Sequence, residues 1–343
     1  MGSRPHPDRL DVVVTGATGT FGRALVPLLE ADERVGDVVG LARRAVPVDE
    51  LGWTTATMRS ADVRDPASLT AAFEGADVVV HLAFLVTGAS SREVTTAVNV
   101  EGTLNTVRAA AAAGARRVVY ASSAAAYGFF DDNPIGITED WPTRPDRRFF
   151  YAQEKAELEQ LLHDELAEHP GLELYLLRPP IVLGPHAVGT KNPLPPLVQP
   201  FVRVAGRAAG TLQRFLPFPV PVPMPALPLQ FVHEDDVADA LLRCVVGAGP
   251  PGAYNIAGGG VLTLHDVARE LGLLPVPVPL DAAQRLASAL AAVPTPSVLP
   301  PITGWVETLS HPAVVDTTKA GRELGWTPRW SGLDALRSMV PQG

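Results

Sequence analysis

The sequence predicts an α/β protein with a doubly wound parallel sheet and a smaller, discontinuous lobe. Short apolar runs alternate with helical stretches from Leu10 onward. A glycine-rich turn follows the first apolar run, and the alternation ends near Gly184, where prolines become frequent. Continuous apolar strands separated by helices are typical of a parallel sheet that helices cover on both faces.

The individual elements follow from the spacing of apolar residues. Buried strands are predicted where short apolar runs lie between turn signals. These strands are 10–15, 38–41, 78–82, 118–121 and 174–177. Helices are predicted between them, including 21–31, 101–113 and 151–169.

The composition is that of a globular protein and excludes several other classes. Hydrophobic residues make up 46% of the 343 residues and charged residues 19%, which is too apolar for a disordered chain. The 28 basic and 37 acidic side chains give a net charge of −9, and no basic run is longer than two arginines. Nucleic acid is therefore not expected as a partner.

Cysteine, histidine and proline usage narrows the class further. A single cysteine, Cys244, and eight histidines without ligand spacing predict neither a disulfide nor a metal site. The uncharged stretch 215–231 contains six prolines, so we expect an extended segment there and no membrane-spanning helix. The polar N-terminus lacks the apolar core of a signal peptide. Together these features predict a cytoplasmic protein.

A glycine-rich turn joins the first predicted strand to the first predicted helix. Gly16, Gly19 and Gly22 recur at every third residue there, with Thr20 and Phe21 between the last two. Glycine allows a tight turn and a close approach of the backbone to a pyrophosphate, and the start of the helix supplies N–H donors. This context predicts a dinucleotide-binding turn, with a purely structural turn as the alternative.

The end of the second predicted strand indicates which dinucleotide binds. An acidic side chain at this point would bind the 2′-hydroxyl of an adenosine ribose, but the sequence there is Ala42-Arg43-Arg44. A guanidinium group suits a 2′-phosphate, so NADP(H) is favoured and NAD(H) stays possible. The alternative is a solvated surface pair of arginines.

A tyrosine and a lysine open the helix predicted at 151–169. Tyr151 and Lys155 are four residues apart and therefore share one face of the helix, and Ser123 follows an earlier strand. An ammonium near a phenol lowers the phenol pKa, so Tyr151 could exchange a proton near neutral pH while Ser123 binds the substrate oxygen. The alternative is an ordinary surface pair.

Proline density divides the chain into a body and a lobe. Between residues 193 and 228 there are ten prolines, far above the roughly 5% average. We expect a dinucleotide-binding Rossmann body formed by 8–184 and 229–257. The remaining segments, 185–228 and 258–343, are expected to form the substrate-binding lobe.

The ordered series of motifs resembles the extended short-chain dehydrogenase/reductase superfamily, often labelled NAD-dependent epimerase/dehydratase. The resemblance rests on the glycine turn, the Tyr-x-x-x-Lys motif and further matches spread over nearly the whole chain. These further matches are 61–65, 80–83, 99–103, 120–128, 177–179, 231–238, 316–320 and 324–326.

The resemblance implies roles for individual residues. Ser123 would orient the substrate oxygen, Tyr151 would act as the acid or base, and Lys155 would hold the nicotinamide ribose and lower the Tyr151 pKa. Asp62 would contact adenine. The full set of expected cofactor contacts is Gly16, Gly19, Thr20, Phe21, Gly22, Arg43, Asp62, Val63, Leu82, Ala83, Asn99, Tyr151, Lys155, Pro179 and Ile181. Expected substrate contacts are Phe84, Ala124 and His233, although histidines such as His233 more often serve packing.

Departures from the family pattern bear on the substrate. Sugar-nucleotide members resembling this chain carry an arginine where Leu229-Gln230 stand and an asparagine where Pro180 stands. Dehydrating members carry an Asp-Glu pair where Ala124-Ala125 stand. The residues that could line the substrate pocket are apolar, namely Phe84, Leu85, Phe129, Phe130, Phe149, Phe150 and 215–231. They could instead form the core of the lobe or a dimer surface.

These observations predict an NAD(P)-dependent oxidoreductase that transfers hydride between nicotinamide and a secondary alcohol or its ketone. The expected partner is an apolar small molecule, and a homodimer is possible. The alternatives are a sugar or nucleotide-sugar epimerase and a non-catalytic NAD(P)-binding sensor. The combination of Ser123, Tyr151 and Lys155 weighs against the sensor, since a sensor needs no acid or base.

Overall fold

A computed structural model describes residues 9–86, 91–187, 221–282, 285 and 313–339. The described strands, in chain order, are β1 (Leu10–Thr15), β2 (Val35–Ala42), β3 (Thr57–Ser60), β4 (Val78–His81), β5 (Arg117–Ala121), β6 (Glu173–Arg178), β7 (Ile181–Leu183), β8 (Pro221–Met224), β9 (Pro228–Leu229), β10 (Phe231–His233), β11 (Gly252–Asn255), β12 (Leu262–Thr263) and β13 (Leu274–Pro277). The described helices are α1 (Thr20–Ala31), α2 (Pro66–Ala72), α3 (Arg92–Thr96), α4 (Gly102–Ala112), α5 (Phe150–Ala167), α6 (Glu234–Val245), α7 (Leu264–Glu270), α8 (Thr318–Leu324) and α9 (Gly332–Arg337).

A parallel sheet of seven strands forms the centre of the molecule. Its order is β3-β2-β1-β4-β5-β6-β11, so the strand order reverses between β1 and β4. In such sheets ligands bind outside the carboxyl ends of the strands at the reversal point. The predicted doubly wound Rossmann fold is confirmed.

Two hydrophobic layers cover the faces of this sheet. Successive side chains of β1 point to opposite faces, so Val12 and Val14 pack with α1 and α6 while Val13 packs on the other side. On that other side the buried residues Leu69, Val107 and Leu158 come from α2, α4 and α5. Buried apolar residues cover both faces, which explains why the strand sequences are continuous apolar runs.

The predicted strand positions are right, and their ends differ by a few residues. β2 begins at Val35 and ends at Ala42, and β4 ends one residue earlier than predicted, at His81. The sequence analysis missed β3 and β11, which form the two edges of the sheet. β3 (TMRS) is mostly exposed and carries no apolar run, so hydrophobic pattern does not reveal it.

Outside the central sheet, the described part of the proline-rich region forms short strands. β8 (PVPM) pairs in parallel with β13 (LPVP), and the register sets each proline opposite a residue that keeps its N–H. β9 pairs with β12, and β10 pairs with β7. Residues 221–231 are therefore largely extended, as proline content predicts. Residues 215–220 of the predicted segment lie outside the described residues. The proposed boundaries between body and lobe stay a prediction.

Candidate functional site

The glycine-rich turn is shaped by contacts that only glycine permits. Gly16 lies between β1 and α1 with φ +67°, and a Cβ there would stand 2.6 Å from the backbone nitrogen of Ala83. A Cβ on Gly22 would overlap the carbonyl of Ala17. Gly19 donates its N–H to the carbonyl of Gly16 at 2.9 Å and precedes the first turn of α1. The turn is therefore held tight against the end of β4.

A cleft of about 760 Å³ opens over this turn at the reversal point of the sheet. Its volume is typical of a small-molecule site, and it is lined by several of the residues predicted to bind a dinucleotide. The lining residues are Thr15, Gly16, Thr18, Gly19, Leu41, Ala42, Arg43, Arg44, Val46, Ala61, Asp62, Val63, Leu69, Leu82, Ala83, Phe84, Leu85 and Val98. Thr20, Phe21 and Gly22 follow the turn in the first residues of α1.

Arg43 and Asp62 lie on the side of the cleft formed by β2 and the loop after β3. Asp62 accepts hydrogen bonds from the Arg64 guanidinium at 2.6 and 3.0 Å, and these bonds lower the pKa of the Asp62 carboxyl. Arg43 is exposed, and its charge lowers the same pKa further. An exposed guanidinium at this end of the cleft is available to an anionic ligand.

Ser123 and Tyr151 meet at the carboxyl end of β5. Ser123 caps a 3₁₀ turn, Ala124–Tyr127, where its hydroxyl accepts the N–H of Ala125 at 3.1 Å. The same hydroxyl donates to the carbonyl of Pro179 at 3.4 Å. Tyr151 lies in the first turn of α5, where burial raises the pKa of its phenol and the Ser123 hydroxyl partly offsets that rise. The phenol is therefore protonated at neutral pH.

Lys155 is buried one turn further along α5. Its Nζ donates to Tyr120 Oη at 2.9 Å and to the carbonyl of Ala121 at 2.8 Å, and it lies 6.0 Å from the centre of the Tyr151 ring. Burial lowers the pKa of Lys155 to about 7. This corrects the expectation that Lys155 lowers the Tyr151 pKa, because the ammonium faces β5 and the phenol pKa is raised.

Asn99 and Glu154 form a second buried pair beside the site. Asn99 lies on a π-helical turn, Ala97–Glu101, and its amide bonds both the N–H and the carbonyl of Leu85. Its Nδ2 also donates to Glu154 Oε2 at 2.7 Å. The loop after β4 is thereby tied to the helix that carries Tyr151 and Lys155. Burial raises the pKa of Glu154.

Aromatic side chains surround the Tyr151 phenol. The Phe84 ring meets the Tyr151 ring edge-on, with centroids 5.8 Å apart, and the Phe149 ring lies 5.9 Å away on another side. Phe129 extends this wall at 5.9 Å from Phe149. Because Phe84 also lines the cleft and its ring centre lies 3.6 Å from Lys155 Nζ, it joins the cleft to the predicted catalytic residues.

A buried ion pair supports the strand ends beneath the site. Arg178 Nη2 donates to Glu159 Oε2 at 2.5 Å, and Glu159 Oε1 accepts the Ser122 hydroxyl at 2.5 Å. Arg178 Nη1 also donates to the Tyr127 hydroxyl. This network fixes the residue next to Ser123, and a buried pair is costly to break on one side only.

The other predicted site residues lie in the structure as follows. Pro179 accepts the N–H of Ala124 at 2.9 Å, and Ile181 begins β7. Ala124 is buried in a small apolar cluster with Tyr127 and Ile137. The His233 ring stacks on the Trp330 ring with centroids 4.2 Å apart, and its Nδ1 accepts the N–H of Asp235 at the start of α6. Neither partner is one of the predicted site residues.

Sequence reasoning assigned no role to three buried residues that lie beside Ser123, Tyr151 and Lys155, the candidate catalytic group. Glu159 lies four residues after Lys155, and that spacing alone predicts a shared helix face. Glu154 lies between Tyr151 and Lys155 in the Tyr-x-x-x-Lys motif, and its charge at this position could have indicated a role beside them. Tyr120 is 35 residues from Lys155, and local spacing gives no signal for that contact.

In the part of the chain that the structure describes, no helix is long and apolar enough to cross a membrane. Among the same residues, no group of three or more histidine, cysteine, aspartate or glutamate side chains is arranged to hold a metal ion.

Known proteins similar to this chain include both relatives in sequence and solved structures. An uncharacterized protein of Mycobacterium tuberculosis is 28% identical over 342 residues, which covers 96% of this chain and 84% of that protein. L-Arabinose 1-dehydrogenase (NAD(P)(+)) of Haloferax volcanii is 29% identical over 231 residues, covering 64% of this chain and 85% of that protein.

The solved structures establish likeness of fold. UDP-glucose 4-epimerase of Thermotoga maritima superposes with a TM-score of 0.68 at 19% identity, covering 96% of this chain and 97% of that one. dTDP-glucose 4,6-dehydratase of Streptomyces venezuelae superposes with a TM-score of 0.67 at 24% identity, covering 96% of each chain.

The family assignment comes from a direct match to a family model. Residues 12–257 match the model of the NAD dependent epimerase/dehydratase family, which is most of the chain and includes the glycine turn, Ser123, Tyr151 and Lys155. This match confirms the resemblance found in the sequence. It supports an NAD(P)-dependent oxidoreductase or epimerase. The chain therefore belongs to the NAD-dependent epimerase/dehydratase family.

Proposed function

We propose that this protein is an NADP(H)-preferring oxidoreductase that interconverts a bulky, apolar secondary alcohol and its ketone. The observation that carries the proposal is the aromatic wall around the Tyr151 phenol, formed by Phe84, Phe149 and Phe129. Aromatic faces bind apolar and aromatic groups and offer no counter-charge to a diphosphate. The substrate group flanking the reacting carbon is therefore apolar.

The acid-base chemistry comes from the chain's own residues. Tyr151, held protonated by burial, donates its proton to a ketone oxygen during reduction and accepts it back during alcohol oxidation. Ser123, whose hydroxyl partly offsets the rise in the Tyr151 pKa, would share the substrate oxygen with Tyr151. The nicotinamide, when bound, supplies or accepts the hydride. A protonated phenol is matched to the direction of ketone reduction.

The cleft supports a dinucleotide with a 2′-phosphate. Gly16 and Gly19 bring the backbone against the space where a pyrophosphate would lie, and Asp62 and Arg43 line the same cleft. The guanidinium of Arg43 would form charge-assisted hydrogen bonds with a 2′-phosphate. Lys155 would hold the nicotinamide ribose.

The second candidate is a nucleotide-sugar epimerase, because two of the similar solved structures are sugar-nucleotide enzymes. Its weakness is that Leu229 and Gln230 stand where sugar-nucleotide members resembling this chain carry an arginine that clamps the diphosphate. Leu229 is buried, and the Gln230 amide is engaged by the backbone of Val315 at 2.9 and 3.0 Å. Burying a diphosphate without a cation would cost more than apolar contacts return. Arg203, Arg207 and Arg214 lie outside the described residues.

The deciding experiment measures turnover and nucleotide binding on the same protein. We expect aromatic and branched ketones to oxidise NADPH in a spectrophotometric screen, and UDP to give no heat in a calorimetric titration. The Tyr151→Phe variant is the control for background reduction. Tight UDP binding without net NADPH consumption would replace the proposal by the epimerase. Binding of NADPH with no turnover on either class of substrate would favour a sensor.

A further inference from the structure

The ammonium group of Lys155 lies in a small buried site of its own. The side chain is fully enclosed, with the residue 2% exposed. Two of its three N–H bonds have acceptors on β5, namely Tyr120 Oη at 2.9 Å and the Ala121 carbonyl at 2.8 Å. Among the described residues, Tyr120 is the one side chain whose oxygen accepts a hydrogen bond from Nζ. Among the described residues the third N–H has no hydrogen-bond acceptor, and the centre of the Phe84 ring lies 3.6 Å from Nζ.

The acidic neighbours of Lys155 are already engaged by other partners. On α5, Glu154 accepts from Asn99 and Glu159 accepts from Arg178 and Ser122. Both carboxylates favour the ammonium through their charge, although neither bonds it. Tyr151 is a further titratable group on α5, and His81 on β4 and Tyr120 on β5 are the titratable groups near it from other elements. The hydroxyl of Tyr120 is therefore the side-chain oxygen that fixes its position.

The position of the Tyr120 hydroxyl is itself fixed. The residue is 1% exposed, and its ring stacks on His81 with centroids 5.8 Å apart. His81 is held on both ring nitrogens, by Thr15 at 2.7 Å and Thr103 at 2.9 Å. Burial and the Lys155 charge lower the pKa of His81 to about 3, so it stays neutral wherever Lys155 titrates.

We propose that Tyr120 is a positioning residue whose hydroxyl holds the Lys155 ammonium and stabilises its charge, leaving one N–H for the nicotinamide ribose. Its effect on turnover rests on the function proposed above. Its effect on Lys155 does not, because the contact exists in the free protein. Tyr120 thus acts through Lys155 and touches neither the substrate oxygen nor Tyr151's proton.

The electrostatic consequence has a definite sign. Burial lowers the pKa of Lys155 to about 7, so the ammonium is lost as the pH rises through neutrality. Removing an acceptor from a charged donor disfavours the charged form. The Tyr120→Phe variant therefore loses the ammonium at a lower pH. The ring, its stacking on His81 and its contact with Nζ, 4.6 Å from the ring centre, are retained.

The chain offers an unusually clean measurement, because it contains only three lysines, Lys155, Lys191 and Lys319. Protein labelled with ¹³C at the lysine ε position gives three NMR signals, and the Lys155→Arg variant identifies the one from Lys155. We expect Tyr120→Phe to lower the midpoint of that titration by about one pH unit or more, since hydrogen bonds to charged groups are among the stronger ones.

The matched control is Tyr175→Phe. Tyr175 is also 1% exposed, and its hydroxyl donates to the Gly249 carbonyl at 2.6 Å, remote from Lys155. We expect this variant to lose similar stability and leave the Lys155 midpoint where it is in the wild type. An unchanged midpoint in a folded Tyr120→Phe protein would overturn the proposal, as would an equal shift in both variants.

A second readout separates this inference from the proposed function. NADPH affinity of the Tyr120→Phe variant, followed by nicotinamide fluorescence, should fall at a lower pH than that of the wild type. If no ketone or alcohol is turned over, the proposed function fails, while the Lys155 titration still tests the role of Tyr120. If the titration is unchanged while turnover is found, Tyr120 is a packing residue and the proposed function stands.

Discussion

The cleft and the candidate catalytic group, Ser123, Tyr151 and Lys155, lie side by side but are formed differently. The cleft is formed largely by backbone, since the turn of Gly16 and Gly19 approaches the end of β4 so closely that a Cβ would collide with it. The side chain of Arg43 at its edge is exposed to solvent. We therefore expect cofactor binding in the cleft to depend mainly on the shape of the backbone and on solvent-exposed charges.

The candidate catalytic group and the residues that support it are buried side chains, and their chemistry depends on which of them carry a proton. Lys155, Glu154 and Glu159 are all enclosed, and burial shifts the pKa of Lys155 and Glu154 toward their neutral forms. Each charge is supported by a partner from another element, which fixes geometry at some cost in stability. Substitutions in the cleft should therefore change cofactor affinity, whereas substitutions in the candidate catalytic group should change the turnover rate and its pH dependence.

The largest expected effect is on rate, at Tyr151. Tyr151→Phe removes the proton donor while keeping the ring between Phe84 and Phe149. We expect kcat to fall by about 10²- to 10⁴-fold, the usual loss for general acid-base catalysis, with NADPH affinity nearly unchanged. Steady-state kinetics and a fluorescence titration check both parts. Tyr175→Phe should keep wild-type kinetics, and full activity in Tyr151→Phe would remove Tyr151 from the mechanism.

The next effect tests whether the cleft depends on backbone approach. Gly16 and Gly52 have nearly the same left-handed φ, +67° and +70°, but a Cβ meets Ala83 in one case and nothing within 4 Å in the other. Both Gly→Ala changes carry the backbone strain of about 1–2 kcal/mol. Gly16→Ala adds overpacking of about 1–3 kcal/mol to this loss of stability. Because relief of the collision would move the turn away from the end of β4, we also expect cofactor affinity to fall by roughly one to two decades.

Denaturant unfolding and NADPH titration of both glycine variants give the answer. Gly52→Ala should lose stability and keep its affinity, so it reports the backbone strain alone. A Gly16→Ala protein that binds NADPH as well as Gly52→Ala does would show that the loop moves freely. The close approach of the turn to β4 would then have no part in binding.

The two regions also differ in how far their sequence predicts them. The glycine turn, Arg43 and the strands at 10–15 and 118–121 are local patterns, in which neighbours in sequence are neighbours in space, and the structure has them where expected. The contacts of Lys155 are not local, because its partner Tyr120 lies on β5, 35 residues away. The sign of the Tyr151 pKa shift depends on burial, which motif spacing does not contain.

A smaller effect distinguishes the two cofactors in the cleft. Arg43→Ala should weaken NADPH by about one to two decades, because hydrogen bonds to charged groups contribute roughly 1.5–3 kcal/mol. NADH, which lacks the 2′-phosphate, should bind as before and serves as an internal control. Arg59→Ala removes an exposed arginine from the neighbouring strand β3 and should affect neither cofactor. Equal losses for both cofactors would show that Arg43 does not contact a 2′-phosphate.

The smallest effect concerns the aromatic wall and therefore the substrate. Phe149 lies between Phe129 and Tyr151, with ring centroids 5.9 Å from each, whereas Phe130 lies beneath the guanidinium of Arg144 at 4.3 Å. If the wall binds the apolar group of the substrate, Phe149→Ala should raise KM for an aromatic ketone by about 2- to 10-fold, the range expected from one aromatic contact.

The control for this last effect combines a second variant with a second substrate. Phe130→Ala removes a ring of the same size from the same loop and should leave the KM ratio between an aromatic ketone and a small aliphatic ketone unchanged. Phe149→Ala should lower the preference for the aromatic ketone, because only that substrate reaches the missing ring. A uniform rise in KM for both ketones would instead indicate that Phe149 supports Tyr151 through packing. The aromatic wall would then belong to the core, and the apolar substrate class would lose its main support.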